Sequence, residues 1–331
     1  MTPGRCLVEV LRGDVVESIH RVHIAVVHAD DGLVASAGNP AQQAFVRSSI
    51  KMFQALPFVE AGGVQRFSLT GEELALCTAS HGGEPFHVST ARSILAKARV
   101  SEAALACGPH LPMHEKSAEA LLKAGDAPGR IHNNCSGKHA GMLAHCVQQQ
   151  WVTNGYHRAS HPMQQRVVST LSKWMRLNPS GIAKGVDGCG LPTFAMALDA
   201  VADGCAKFAA AAAAGDPAPA TVFNAMVMHP EYVAGSERLD TDLMRAANRR
   251  LVAKVGAEGF YCVIVPTMKL GVALKVEDGS KRAAEPALLA ALRAVDAIST
   301  AEFEHLNAYS RPDIRNTRNE VVGQLRTQLQ F

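Results

Sequence analysis

Ser48 and Lys51 stand three positions apart in Val46-Arg47-Ser48-Ser49-Ile50-Lys51-Met52-Phe53, so on a helix they would share one face, a turn apart. A serine hydroxyl is a poor nucleophile until a neighbour accepts its proton. A lysine can accept it only when burial or a second cation draws its pKa towards neutrality. The same spacing also suits a helix-capping serine beside a solvated lysine. A second hydroxyl, Ser80, lies in Cys77-Thr78-Ala79-Ser80-His81-Gly82-Gly83-Glu84-Pro85. The glycines there could leave N–H groups free to receive an oxyanion, although an ordinary turn uses the same residue types.

In His132-Asn133-Asn134-Cys135-Ser136-Gly137-Lys138-His139-Ala140-Gly141 a polar cluster runs into the apolar helical signal MLAHCV. Unpaired N–H groups and the positive end of a helix dipole favour a thiolate, which makes Cys135 a candidate nucleophile or metal ligand. The Gly-Lys step is not a phosphate-binding loop, because no Gly-x-x-x-x-Gly-Lys-Ser/Thr pattern surrounds it. Cys189, in Gly185-Val186-Asp187-Gly188-Cys189-Gly190-Leu191-Pro192-Thr193, is flanked by glycines and has little to pack against. Two thiols in polar turns suggest one shared ion. Zinc takes thiolate and nitrogen ligands, although the paired Cys-x-x-Cys spacing is missing. Lys275 is a lone lysine in the apolar run from Gly271 to Gly279, where alternation sets Val272, Leu274 and Val276 on one face and Ala273 with Lys275 on the other. Of the 14 histidines, His81 and His139 carry most weight because they lie inside these segments.

The elements that must hold these groups show in the hydrophobic period. The runs LVEVL, HIAVVHA and LVASAG, the last two split by Asp30-Asp31-Gly32, predict an antiparallel meander. From Ala41 to about Arg250, segments such as RSILAKAR, AEALLKAG, QQRVVSTLSKWMRL and TDLMRAANRRLVAKV predict helices. Strand signals return at GFYCVIVP and GVALKVEDG, followed by the helical AEPALLAALRAV and a short alternating segment near EVVGQLR. Strands at both chain ends predict an α+β fold, one antiparallel sheet with a mostly helical middle. The expected division is a single catalytic unit over residues 1–331, with an α/β part of about 1–60 and 255–331 and a helical part of about 61–254. The alanine-rich stretch Ala206 to Ala220 predicts a surface helix and loop.

With 331 residues, 47% of them hydrophobic and 19% charged, the chain can bury a large core and does not have the composition of a disordered one. A net charge of +3 with scattered lysines and arginines offers no basic stripe for nucleic acid. There is no run of about 18 apolar residues to span a membrane, and Met1 to Gly13 lacks the apolar core of a signal peptide. The expectation is a cytoplasmic protein in which the eight widely spaced cysteines stay reduced.

Six segments, in order and across nearly the whole chain, resemble the asparaginase II family: Ser48 to Lys51, Ser80 to His87, Asn134 to His139, Asp187 to Gly190, His229-Pro230-Glu231 and Gly271 to Gly279. The resemblance implies the fold of serine β-lactamases and glutaminases. It also implies two serine–lysine pairs, Ser48 with Lys51 and Ser80 with Lys275, Lys269 being the alternative partner of Ser80. A zinc ion would be held by Cys135, Lys138 and Cys189. Arg47, Asn134, His139 and Asp187 would bind the substrate, L-asparagine, and the assembly would be a homodimer. The β-lactamase signatures Ser-Asp-Asn and Lys-Thr-Gly are replaced by Ser80-His81-Gly82 and Lys275-Val276-Glu277, so penicillin hydrolysis is not expected. On this reading Ser48 attacks the side-chain amide after Lys51 takes its proton, while Ser80 and Lys275 relay protons. Two other classes stay open. One is an amidohydrolase that uses zinc-activated water, and the other a non-catalytic, zinc-stabilised binding protein; glutaminase stays open as a matter of substrate.

Overall fold

The computed structural model describes residues 4–331, and alternating aliphatic positions account for its main sheet. β1 (Arg5–Arg12), β2 (Val15–His28) and β3 (Gly32–Ala37) form the expected meander, with Gly32 at φ +76° in the β2–β3 turn. β4 (Gln43–Phe45), β5 (Ala183–Val186) and β6 (Pro192–Ala197) are short, and β4 pairs antiparallel with the end of β6. β7 (Val252–Gly256), β8 (Phe260–Val265), β9 (Leu270–Val276), β10 (Asp313–Arg315) and β11 (Val321–Gln330) come from the last third of the chain. They interleave with the N-terminal strands in the order β10-β11-β1-β2-β9-β8-β7, with β3 on β2. The pairings are antiparallel, and Arg5 opposite Gln330 joins the two ends of the chain, as the strand signals predict.

Between the strand sets, apolar residues three and four apart yield helices. These are α1 (Lys51–Glu60), α2 (Gly63–Arg66), α3 (Gly71–Cys77), α4 (Pro85–Lys97), α5 (Glu115–Lys123), α6 (Ser136–Gln148) and α7 (Pro162–Met175). They are followed by α8 (Leu198–Ala213), α9 (Pro217–Met228), α10 (Pro230–Val233) and α11 (Leu239–Ala246), with α12 (Lys281–Ala294) after β9. The fold is α+β. Two units divide the chain: one joins residues 4–49, Ala195–Ala213 and Asp242–Phe331, and the other holds Ile50–Phe194 and Ala214–Thr241. In the helical unit, Phe53, Leu56, Leu76, Leu143, Val167 and Leu171 are among the fully buried core. A capping box between Thr70 and Glu73 starts α3.

In the sheet unit, register puts Val22, Ile24, Val26, Val272, Leu274 and Val276 on one face, all buried. Each such burial contributes about 1.5–3 kcal/mol. α12 packs on this face, where Arg282 Nε reaches His20 Nε2 at 3.0 Å. The opposite face receives α8. A Cβ on Gly271 would lie 2.1 Å from the Ala202 carbonyl oxygen and 2.2 Å from the Ala206 nitrogen. The alanine run is therefore a surface helix and loop only in its second half: Ala206, Phe208 and Ala209 are buried where small side chains let the helix settle on a glycine, while Ala213 to Pro217 are exposed. A second correction concerns LVAKV, read as the end of a helix. α11 stops at Ala246 and Val252–Gly256 is the edge strand β7, because β-branched valines and a following Gly-Ala-Glu-Gly turn outweigh the helical spacing.

Candidate functional site

Lys51 opens α1 where a tight turn ends. Arg47 takes the left-handed conformation, φ +49°, which is costly for a residue with a Cβ. Ser49 folds back, its N–H and Oγ donating to the Val46 carbonyl at 3.1 and 2.7 Å. Ser49 is buried and Ser48 half-buried on that turn. Lys51 is fully buried. Its Nζ donates to the Ala79 carbonyl and lies 2.9 Å from Ser80 Oγ and 3.1 Å from Cys135 Sγ. Burial pushes the Lys51 pKa down; the Cys135 sulfur opposes that and the Lys138 ammonium adds to it. Nζ is the donor in all three contacts; loss of one proton would leave two hydrogens for Ala79 and Cys135 and free a lone pair towards the Ser80 hydroxyl.

Ser80 stands in the buried link from α3 to α4. Its N–H donates to the Val233 carbonyl at 2.9 Å, and the His81 N–H to the Asn134 carbonyl at 3.1 Å. The Gly83 N–H donates to His81 Nδ1 at 3.1 Å, so it is engaged rather than open to an oxyanion. With Nδ1 accepting, His81 carries its proton on Nε2 and donates it to Ser136 Oγ at 2.9 Å. His87 repeats the pattern, Nδ1 accepting from the Glu84 N–H at 3.1 Å and Nε2 donating to the Glu231 carbonyl at 2.8 Å. The two rings stack with centroids 4.8 Å apart. Burial holds both neutral, His87 down at about 4 and His81 well below its ordinary value.

The thiols converge beside this group. Cys135 caps α6, its N–H donating to Asn133 Oδ1 at 2.9 Å, while the Asn134 N–H donates to His110 Nε2 at 3.0 Å. Lys138, in the first turn of α6, sends Nζ to Cys189 Sγ at 3.3 Å. Cys189 lies in the β5–β6 turn, where Gly190 has φ +83° and Asp187 Oδ1 accepts the Gly188 N–H at 2.8 Å. The Cys135 thiol donates to the Cys189 sulfur. That bond, opposed by burial and helped by Lys138, brings Cys189 down to about 4, while the same bond and burial raise Cys135 to about 11. Burial works against the Lys138 ammonium, but the two sulfurs and Asp187 outweigh it and push its pKa up. All eight cysteines are buried and free, and these two differ from ordinary core thiols in their polar partners. His139 is fully buried too. Its Nδ1 shares a hydrogen bond with Tyr156 Oη at 2.5 Å, and Tyr156 Oη accepts the Ala106 N–H at 3.0 Å. Burial pushes its pKa to about 3.

A hydroxyl against a buried amine, with a thiolate–ammonium pair alongside, is chemistry for acyl transfer. The sequence matches the L-asparaginase II family over residues 8–327. The chain belongs to that family. It is an asparaginase-like amidohydrolase, a hydrolase acting on amides. No curated protein is matched by the sequence. Among solved structures it is similar to a Bacteroides dorei protein provisionally described as a beta-lactamase, at 14% identity over 77% of this chain and 84% of that one, with a TM-score of 0.37.

For this asparaginase II chain the question of zinc turns on the donor set. Cys135 and Cys189 share a hydrogen bond and Lys138 reaches Cys189, so two sulfurs and one nitrogen already converge. Thiolate sulfur and neutral nitrogen are donors that zinc accepts; Cys189 is already held as a thiolate, while Cys135 and Lys138 would each give up a proton to an arriving ion, so the donor types fit zinc once those two protons leave. Among the described residues no group of three or more His, Cys, Asp or Glu is placed to hold a metal. The set here supplies two thiols and relies on lysine for its third donor.

In the sheet unit, Lys275 stands on β9 opposite His23 and Phe260, half-buried, with Nζ donating to the Val276 carbonyl. Burial lowers its pKa. Lys269, the alternative, is engaged at the surface in an ion pair with Asp30 at 2.9 Å. Sequence reasoning missed Lys254. It lies on β7, fully buried, its Nζ donating to the Val255 carbonyl at 2.9 Å. Two residues on, a Cβ at Gly256 would meet the Val46 carbonyl oxygen at 2.8 Å and Ser49 Cβ at 3.4 Å, so β7 packs directly on the turn that presents Ser48. The signal was present in Val252-Ala253-Lys254-Val255-Gly256, a lysine between β-branched residues before a glycine, but the helical reading concealed it.

Proposed function

We propose that the chain hydrolyses the side-chain amide of L-asparagine, with Ser48 as nucleophile and Lys51 as its base. The observation that carries this reading is Lys51 itself: fully buried, its pKa pushed down, three positions after Ser48 and 2.9 Å from the Ser80 hydroxyl. Ser48 Oγ attacks the amide carbonyl as Lys51 takes the hydroxyl proton, and a C–O bond forms. The C–N bond then breaks as Ser80 passes a proton to the departing nitrogen, and ammonia leaves. Water adds to the acyl ester, its proton returns through the same lysine, and L-aspartate is released. Lys51 also touches Ser80, which favours a second reading with Ser80 as nucleophile. Ser80, however, is only 4% exposed, whereas Ser48 is half-buried and more open to a substrate.

The resemblance gives Lys275 as the second lysine; burial and the packing of β7 against the Ser48 turn favour Lys254. Arg47, Asn134, His139 and Asp187 would bind the amino-acid end of the substrate. Cys135, Lys138 and Cys189 would hold zinc. When bound, the ion supplies a fixed double positive charge that keeps both sulfurs as thiolates and lets Lys138 be neutral. Equal amounts of ammonia and L-aspartate are expected from L-asparagine. Chelation should raise KM more than it lowers kcat, whereas a zinc-activated water would lose all turnover. Failure of the zinc-replete chain to release ammonia from L-asparagine would overturn the proposal.

A further inference from the structure

α1, α3, α6 and α7 of the helical unit enclose a cavity whose lining includes Gln54, Phe58, Cys77, Lys138, Met142 and His145, all buried. It leaves about 10 Å³ for the centre of a water-sized sphere, room for one such molecule. Two lining residues keep a buried polar atom without a hydrogen-bond partner, Gln54 Oε1 and His145 Nε2. The side chains themselves are 7% and 1% exposed.

Both atoms are acceptors. Gln148 Nε2 donates to the Ala61 carbonyl, which fixes that amide with Oε1 towards His145 Nδ1 at 3.0 Å. Oε1 can only accept, so Nδ1 carries the imidazole proton and Nε2 holds a lone pair. Gln54 Oε1 is an acceptor by nature. Buried acceptors are rarely left unpaired in native structures.

We propose that this cavity binds one small molecule that donates two hydrogen bonds, water or ammonia, bridging Gln54 on α1 to His145 on α6. Larger ligands are excluded by size, and small species without N–H or O–H groups have no hydrogen to give. Water is the reactant and ammonia the product of amide hydrolysis; the ammonia branch rests on that activity, and the water branch does not. Gln54 follows Lys51 by three positions, and His145 shares α6 with Lys138, so the occupant ties together the two helices that carry the buried cluster.

Two measurements test this. A crystal structure of the chain, grown in sodium salts without ammonium, is expected to show one peak about 2.7–3.2 Å from both atoms. Gln54→Met keeps the shape and removes one acceptor. With a bound molecule it should melt at least about 2 °C below the parent, because the occupant loses a partner. Ammonium chloride that raises the parent's melting temperature above that in equal sodium chloride, but not the variant's, assigns ammonia. Equal effects of the two salts assign water. A cavity that stays empty in crystals grown both without and with ammonium chloride, or a Gln54→Met melting temperature equal to or above the parent's, overturns the proposal, since a dry cavity would gain from losing an unpaired acceptor.

Discussion

Lys51 is useful as a base because burial makes its charged form expensive. An arginine at that position cannot give up its proton. Lys51→Arg is therefore expected to lower kcat for asparagine by at least about three orders of magnitude, measured as ammonia release. The second lysine can be decided in the same assay. Lys254→Met should reduce kcat at least about a hundredfold and Lys275→Met less than about tenfold, because only the first is fully buried and on the strand beside the Ser48 turn. The reverse order would return the role to Lys275. Zinc belongs to the same scale: about one ion per chain is expected by elemental analysis, and Cys189→Ser should lose it. Ser48 and Lys51 are legible from their three-residue spacing, Ser80, Cys135 and Cys189 as reactive types in glycine-containing polar segments, and Lys138 only through the family resemblance. Their partners are not. That Lys51 touches Ser80 and Cys135, 29 and 84 positions away, is a product of tertiary packing that no local spacing encodes.

Elements decide which of these groups can titrate. α4 begins on Glu84, whose N–H is held by His87 Nδ1, and burial keeps that ring neutral with a pKa of about 4 against about 6.5 when unfolded. The unfolded chain then binds more protons between those values. The stability from a neutral His87 is complete above about pH 6.5 and is lost progressively as pH falls towards 4, by up to about 3 kcal/mol. Melting temperature should drop between about pH 7 and pH 5, and His87→Gln should flatten that slope; an equal slope in the variant would assign the acid sensitivity elsewhere. α8 makes a second prediction. A Cβ at Gly271 would strike its backbone, so Gly271→Ala should cost at least about 2 kcal/mol in urea unfolding. The strands were read correctly where alternation was clean. The stretch Ala206 to Ala220 reads as surface because alanine signals helix without signalling which side is buried, and β7 is hidden because LVAKV satisfies helical and strand spacing alike.

At the scale of the whole molecule, the pairing of Arg5 with Gln330 closes one sheet from both chain ends, which period-two runs at each end already implied. The division into units was less legible, since Ala195–Ala213 returns to the sheet from the middle of the chain through contacts that only the folded state makes. Membership of the L-asparaginase II family, matched from residue 8 to 327, fixes the reaction class, and what remains to be decided is which side chain carries it out. The most direct measurement is ammonia release from L-asparagine by the chain and by Ser48→Ala, prepared with equal zinc content and compared at equal melting temperature. A serine nucleophile predicts that Ser48→Ala retains its fold and metal while kcat falls by at least about three orders of magnitude. Turnover near that of the parent in a folded, metal-matched Ser48→Ala would contradict it and leave Ser80 or a metal-activated water as the attacking group.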